Sequence, residues 1–460
     1  MSGIVSEKVG SACLSAKCFQ FHGSKQQGTI DEDTPVQAFE SSNQVEIGGK
    51  SEITSEKGIR GLTERSPDVD QTKPPKIFSF SDPTILVTEI VQCKKLLNLH
   101  SSHATEESET NSGLWRKRTV AVTGAGGFIA SWIVKLLLQR GFFVRGTLRN
   151  LEDVNTAHLK SLEGANERLE LVEADILDFP SLLKVVGGCV GVFHTACPVP
   201  PDITDPEVQM LRPAVEGTMN VLRACKEAHV KRVVMTSSIG AVYMNPSIQP
   251  DQEVDESCWS DEAFLRGRKE WYCLAKLIAE RTAWDYADAH GMKLVTICPP
   301  VTLGTMLQPR VNQSSKHILK YLDGSAKTYA NRCQAYVDVK NAAEAHVLAF
   351  ESPAASGRYL CCKWSLHRGE IVEALARMYP QYAISMRCKD DGQPRRVPLR
   401  FCSDKVEQLG LQFTSFDETL RNAVSSLQAK GMLHKKTNIL KLGSVQPCSL
   451  SSKQLIQSCI

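Results

Sequence analysis

Thr119-Val120-Ala121-Val122-Thr123-Gly124-Ala125-Gly126-Gly127-Phe128-Ile129-Ala130 is the stretch from which the rest of the chain can be read. An apolar, β-type run ends in a cluster of glycines, and an apolar helical pattern (Ile133, Leu136, Leu137, Leu138) follows at once. A strand, a tight turn and a helix N-terminus make a ready anion site. Backbone N–H groups without intrahelical partners and the positive end of the helix dipole converge there. The spacing departs from G-x-G-x-x-G, because Ile129 stands where the last glycine would be. It reads instead as T-G-x-x-G-x-x-A, through Thr123, Gly124, Gly127 and Ala130. Ala130 keeps that position small, as close packing of the helix on the strand requires. An ordinary strand–helix turn also contains glycines, so it is the order strand, glycines, helix that points to a nucleotide.

Composition narrows the classes. The 460 residues are 42% hydrophobic and 23% charged, as in a soluble globular chain, and the net charge of +3 supplies no basic stripe for nucleic acid. No apolar run approaches the roughly 20 residues that span a bilayer. The sixteen cysteines include no C-x-x-C pair, and no metal-ligand motif occurs. With no apolar secretory core at the N-terminus, the expectation is a cytoplasmic protein whose thiols are reduced. Residues 1–114, rich in Ser, Lys, Glu, Gln and Thr, are expected to be disordered, apart from a short amphipathic helix over residues 85–97. A plastid transit peptide is disfavoured by Asp31-Glu32-Asp33 and by the lack of arginine before them. The polar residues 434–460 read as a second disordered tail. Oligomeric state is left open.

Between the tails the pattern alternates. Apolar strands are expected over residues 142–148, 169–174, 191–196, 232–236 and 293–298, with helices over 215–228 and 271–290. Strands apolar on both faces, separated by helices, predict an α/β fold: a doubly wound parallel Rossmann sheet over residues 115–300. After Pro299 the alternation loosens, with helical patterns over 316–322, 341–350, 369–378 and 416–429. Residues 301–433 therefore read as a smaller, mostly helical substrate lobe closing over the C-terminal edge of the sheet, where such sheets bind ligands.

The nucleotide can be named from the end of the second strand. An acidic residue there would accept the ribose hydroxyls of NAD, but Gly146-Thr147-Leu148-Arg149-Asn150 places a guanidinium instead. A guanidinium fork suits a 2′-phosphate, so NADP(H) is expected. Asp175, after the third strand, either accepts from the adenine amine or caps the next turn. Farther on, Tyr272 and Lys276 stand four apart on a helix and share a face. A tyrosine has an ordinary pKa near 10, and a neighbouring ammonium with an oxidised nicotinamide would lower it. Such a pair serves as general acid in carbonyl reduction. Ser237 and Ser238 follow the strand at the edge where a carbonyl would sit.

With these elements in place, the chain resembles the extended short-chain dehydrogenase/reductases and, within them, the plant cinnamoyl-CoA reductases. The resemblance runs from about Arg118 to Leu433 and is carried by residues 122–132, 236–246, 255–261, 317–322 and 325–331. It implies a catalytic triad of Ser238, Tyr272 and Lys276, which is the reason to prefer Ser238 over Ser237. It implies cofactor contacts at Gly124, Ala125, Gly126, Gly127, Phe128, Ile129, Arg149, Asp175, Ile176, Thr195, Ala196, Pro299, Val301 and Ser314. A basic trio, His317, Lys320 and Arg368, is implied on the coenzyme A moiety, whose phosphates it would match. The chain departs from the family's Asn-Trp-Tyr-Cys-Tyr-Gly-Lys at Glu270, Leu274 and Ala275, and Glu270 is expected to place a negative charge near the mouth of the pocket. Asn155 stands where a lysine follows the phosphate-binding arginine, and Cys298-Pro299 replaces Asn-Pro. The resemblance implies NADPH-dependent reduction of hydroxycinnamoyl-CoA thioesters to aldehydes with release of CoA. A dihydroflavonol-type ketone reductase shares the triad, and a non-catalytic NADP(H)-binding regulator would keep the fold.

Overall fold

A computed structural model describes residues 118–197, 203–249, 251–390 and 392–433. The expected disordered tails and the helix over residues 85–97 lie outside the described residues. The described part opens with strand β1 (Thr119–Thr123), the glycine turn and helix α1 (Phe128–Gln139), followed by β2 (Phe143–Leu148) and β3 (Leu169–Glu173). Then come α2 (Phe179–Val186), β4 (Gly191–His194), α3 (Arg212–Glu227), β5 (Arg232–Thr236), α4 (Trp271–His290) and β6 (Leu294–Cys298). All but α2, which the sequence reading does not mark, agree with that reading to within a few residues at their ends.

All pairings in the large sheet are parallel, and its first six strands run in the order 3-2-1-4-5-6. The order reverses between β1 and β4, so the crevice for a nucleotide opens beyond the ends of those two strands. Alternation along β1 explains the layers. Val120 and Val122 enter a core with Ile133 and Leu137 of α1, while Ala121 faces the opposite core with Leu182, Val221 and Leu277. Helices thus cover both faces.

The alternation does not stop at Pro299. Helix α6 (Val339–Glu351) packs into the α1 face, and β9 (Gly357–Leu360) pairs parallel with β6 as a seventh strand. Gly-Arg-Tyr-Leu is too short and polar to announce a buried strand, and Arg358 is tolerated there only because its charge is paired inside the protein. Between β6 and β9 come β7 (Val301–Leu303), α5 (Gln313–Leu322) and β8 (Cys333–Asp338); β10 (Trp364–His367), α7 (Arg368–Met378) and α8 (Phe416–Ala429) follow β9. Strands β10, β8 and β7 form a second sheet. Together with α5, α7 and α8 they enclose a separate core around Ile318, Tyr336, Ile371 and Leu420. Phe128, the first residue of α1, packs against both this core and that of the α1 face. The glycine turn therefore lies where lobe and large sheet meet.

Candidate functional site

The turn after β1 needs its glycine. Gly124 has φ +66°, and a Cβ there would come within 3.1 Å of the Ala196 Cβ. Its N–H donates to Thr147 Oγ1 at 3.0 Å, and the Gly127 N–H donates to the Gly124 carbonyl at 2.9 Å, closing the loop onto the start of α1. Gly146 on β2, given no role in the sequence reading, is required as well, since a Cβ there would stand 2.8 Å from the Ala125 Cβ. Thr123 ties the two strands that flank the crevice. Its Oγ1 accepts from the N–H groups of Thr195 and Ala196, each at 3.1 Å, while Thr195 Oγ1 donates to the Thr123 carbonyl at 2.5 Å. Its hydroxyl hydrogen is then left for His194 Nδ1, 3.0 Å away, so the proton of this imidazole belongs on Nε2, facing Thr218 Oγ1 at 3.1 Å. Burial pushes the His194 pKa down to about 3, which keeps the ring neutral. Thr123 and His194 carry no chemistry themselves, but they hold Thr195 and Ala196 beside the turn.

Arg149 is exposed immediately beyond β2, where a 2′-phosphate would be met. Asn155 is committed elsewhere, because its side chain and its N–H both donate to Asp153 Oδ1, at 2.5 and 2.9 Å. Asp175 takes the turn-capping option, accepting from the Leu177 N–H at 2.9 Å. The neighbouring Ile176 carbonyl accepts from Asn220 Nδ2 at 3.1 Å, and its side chain packs against Gly217. At the other end of the crevice the Pro299 carbonyl accepts from the Ile239 N–H at 3.1 Å, Val301 is buried on β7, and Ser314 is half-buried in the first turn of α5. Side-chain-free backbone at positions 124, 126 and 127, a helix N-terminus and an exposed guanidinium together fit a phosphorylated dinucleotide.

Helix α4 meets the end of β5 in register. Tyr272, Lys276 and Glu280 stand at i, i+4 and i+8, and each engages the segment Thr236-Ser237-Ser238. Ser238 Oγ accepts from the Gly240 N–H at 3.0 Å and lies close enough to Tyr272 to act on its phenol. Lys276 Nζ donates to the Thr236 carbonyl at 2.7 Å, and Ser237 Oγ donates to Glu280 Oε2 at 2.6 Å. This separates the two serines on physical grounds: Ser237 is held by a buried carboxylate, and Ser238 faces the tyrosine. The lowered phenol pKa expected beside an ammonium and an oxidised nicotinamide is not produced by the protein's own groups alone. Burial pushes the Tyr272 phenol well above its ordinary value, with Ser238 pulling the other way, and the Lys276 ammonium is spent on a carbonyl. Tyr272 is thus held as the neutral phenol, a proton donor.

Two further expectations change. His317, Lys320 and Arg368 do come together, since both cations press on the histidine. Burial, with those cations, holds the His317 pKa well below its ordinary value, and its Nε2 meets the Tyr336 hydroxyl at 2.7 Å. The histidine therefore brings a hydrogen-bonding group but no charge, and the positive charge is that of Lys320 and Arg368. Glu270 is not at the mouth: only 3% of it is exposed, and burial pushes its pKa up to about 7 against the opposing pull of Arg332 and Arg268. Both surprises come from tertiary burial.

Among the described residues no cluster of His, Cys, Asp or Glu could hold a metal ion, and no helix is long and apolar enough to cross a membrane. A cavity of about 650 Å³ lined by Lys226, His229, Lys231, Arg232 and Lys293 opens at the opposite edge of the sheet. Lys226 there donates to the His290 carbonyl and Arg232 to the carbonyls of Ala349, Phe350, Ser352 and Pro353. These cations offset the C-terminal ends of helices rather than serve the crevice.

Comparison with known proteins agrees with this geometry. Residues 120–362 match the NAD dependent epimerase/dehydratase family. The chain is 54% identical over 316 residues to cinnamoyl-CoA reductase 1 of Petunia hybrida, an alignment covering 69% of this chain and 94% of that protein. Among solved structures, vestitone reductase from alfalfa superposes with a TM-score of 0.61 at 30% identity, over 69% of this chain and 100% of the other. Yeast methylglyoxal/isovaleraldehyde reductase complexed with NADPH gives a TM-score of 0.59 at 26% identity, over 68% and 100%.

Proposed function

The chain belongs to the NAD dependent epimerase/dehydratase family and, within it, to the cinnamoyl-CoA reductases, and from this membership and the site we propose that it reduces hydroxycinnamoyl-CoA thioesters to aldehydes with NADPH, releasing coenzyme A. Such a reaction is a step of phenylpropanoid metabolism. The observation that carries the reading is Tyr272, a half-buried neutral phenol beside Ser238 at the sheet edge that also holds the glycine turn.

The glycine turn and the start of α1 would hold the pyrophosphate, and Arg149 the 2′-phosphate. NADPH, when bound, supplies the hydride that the thioester carbonyl carbon accepts. Ser238 and Tyr272 donate hydrogen bonds to the carbonyl oxygen, where negative charge develops, and Tyr272 gives up its proton there. Lys276, fixed on the Thr236 carbonyl, keeps a positive charge behind the tyrosine as the phenolate forms. As the C–S bond of the hemithioacetal breaks, its hydroxyl returns the proton to the Tyr272 phenolate and the carbonyl re-forms; the thiolate leaves readily because a thiol has a pKa near 8.5. Lys320 and Arg368 supply charge for the CoA phosphates, and His317 a neutral hydrogen-bonding contact beside them. Incubation with NADPH and p-coumaroyl-CoA tests the proposal by the appearance of free thiol, which ketone reduction does not produce.

A further inference from the structure

Glu270 is a buried ionisable group that the reaction does not use. It immediately precedes α4, two residues before Tyr272, and its backbone is bonded at both ends: its N–H donates to the Leu265 carbonyl at 3.0 Å and its carbonyl accepts from the Leu274 N–H at 2.9 Å. The side chain has no such partner. Glu270 Oε1 is buried without a hydrogen bond among the described residues, and so are Nε and Nη2 of Arg268, whose charge acts on this carboxyl. Groups on several elements face it. Arg332, just before β8, attracts the carboxyl, which in turn acts on Tyr243 and Cys273, and Tyr243 also feels Arg368 of the lobe. The carboxyl is thus electrostatically linked both to the start of the catalytic helix and to Arg332 just before β8. An orphaned acceptor beside orphaned donors costs free energy until something pairs with both. Among neutral groups a hydroxyl does this in one step, donating to the carboxyl oxygen and accepting from the guanidinium.

We propose that Glu270 is a specificity-determining residue whose unpaired Oε1 accepts a hydrogen bond from the ring hydroxyl of the acyl group, with Arg268 donating to the same oxygen. The inference rests on the thioester-reductase reading. An acyl group without the hydroxyl would leave all three polar atoms unpaired, which a site built to bond a hydroxyl rejects strongly. Glutamine keeps an acceptor at this place; leucine fills similar space and keeps none.

The test compares p-coumaroyl-CoA with cinnamoyl-CoA, which differ by one ring hydroxyl, as kcat/KM for thiol release with NADPH. The full chain is expected to favour p-coumaroyl-CoA by about tenfold or more. Glu270→Leu should bring that ratio to within about threefold of unity, chiefly through a loss on the hydroxylated substrate, and Glu270→Gln should keep most of the preference. An unchanged ratio in Glu270→Leu, with thiol still released, overturns the role of Glu270 and leaves the reductase reading standing. Absence of thiol from every acyl-CoA with the unsubstituted chain overturns both. Should the leucine variant fail to fold, Glu270→Ala gives the same ratio test, with folding verified by NADPH binding.

Discussion

Ser237 Oγ donates to Glu280 Oε2 at 2.6 Å, and this bond fixes the segment on which the catalytic groups converge. Glu280 also accepts from Thr296 Oγ1 at 2.7 Å and pairs with Arg358 Nε at 2.9 Å, with 0% of the Glu280 and 7% of the Arg358 side chain exposed. The guanidinium lies over the Trp259 ring, 3.6 Å from its centroid. Removing one partner of such a pair leaves a buried charge uncompensated. Glu280→Gln is expected to cost about 3–5 kcal/mol in denaturant unfolding. Adding Arg358→Met should recover part of that loss, whereas strictly additive losses would show that the two side chains are not coupled.

Arg149 is the residue expected to read the 2′-phosphate. Arg149→Ala should raise KM for NADPH by about tenfold while leaving that for NADH nearly unchanged, because only the former carries the group that the guanidinium pairs with. Steady-state kinetics with both nucleotides checks this. Equal losses would move the phosphate contact to another residue.

Glu270 should make stability depend on pH in a definite window. Its folded pKa is raised from 4.5 to about 7, so between these values the folded chain holds a proton that the unfolded chain has released. Its contribution is most favourable below 4.5, falls as pH rises to 7, and above that is a standing cost of about 3 kcal/mol at most. Glu270→Gln removes the titration. Thermal unfolding should show this variant gaining several degrees over the unsubstituted chain at pH 8 but little at pH 5. The same shift at both pH values would place the titration elsewhere.

Lys320 carries charge and His317 does not. Lys320→Ala should raise KM for the acyl-CoA by about three- to tenfold, with an effect that shrinks at high salt, and leave KM for NADPH unaltered. His317→Gln should leave the salt dependence as it was. A salt-dependent loss in His317→Gln would mean that the imidazole is charged after all.

The sequence disclosed what depends on neighbours along the chain. Strands apolar on both faces and the turn after Thr123 are local patterns, and Tyr272 and Lys276 reveal their shared face through helical spacing alone. What escaped is set by contacts distant in sequence. Gly146 is needed because Ala125 packs on it from the neighbouring strand. In the sequence only resemblance separates Ser238 from Ser237; in the fold Glu280 holds Ser237. The strand Gly357–Leu360 was hidden by Arg358, whose charge is acceptable only against Glu280 on another element. The charge states of His317 and Glu270 escape for the same reason, since a sequence shows that a residue can ionise but not that it is buried.

The central claim is that Tyr272 delivers the proton in a reduction that expels a thiol. Free thiol and consumed NADPH should be measured together with p-coumaroyl-CoA, in the unsubstituted chain and in Tyr272→Phe. Thiol should appear with the unsubstituted chain, and in the variant turnover should fall by about a hundredfold or more while NADPH binds as before. NADPH consumed without thiol, or more than about a tenth of the turnover surviving in Tyr272→Phe, would contradict it.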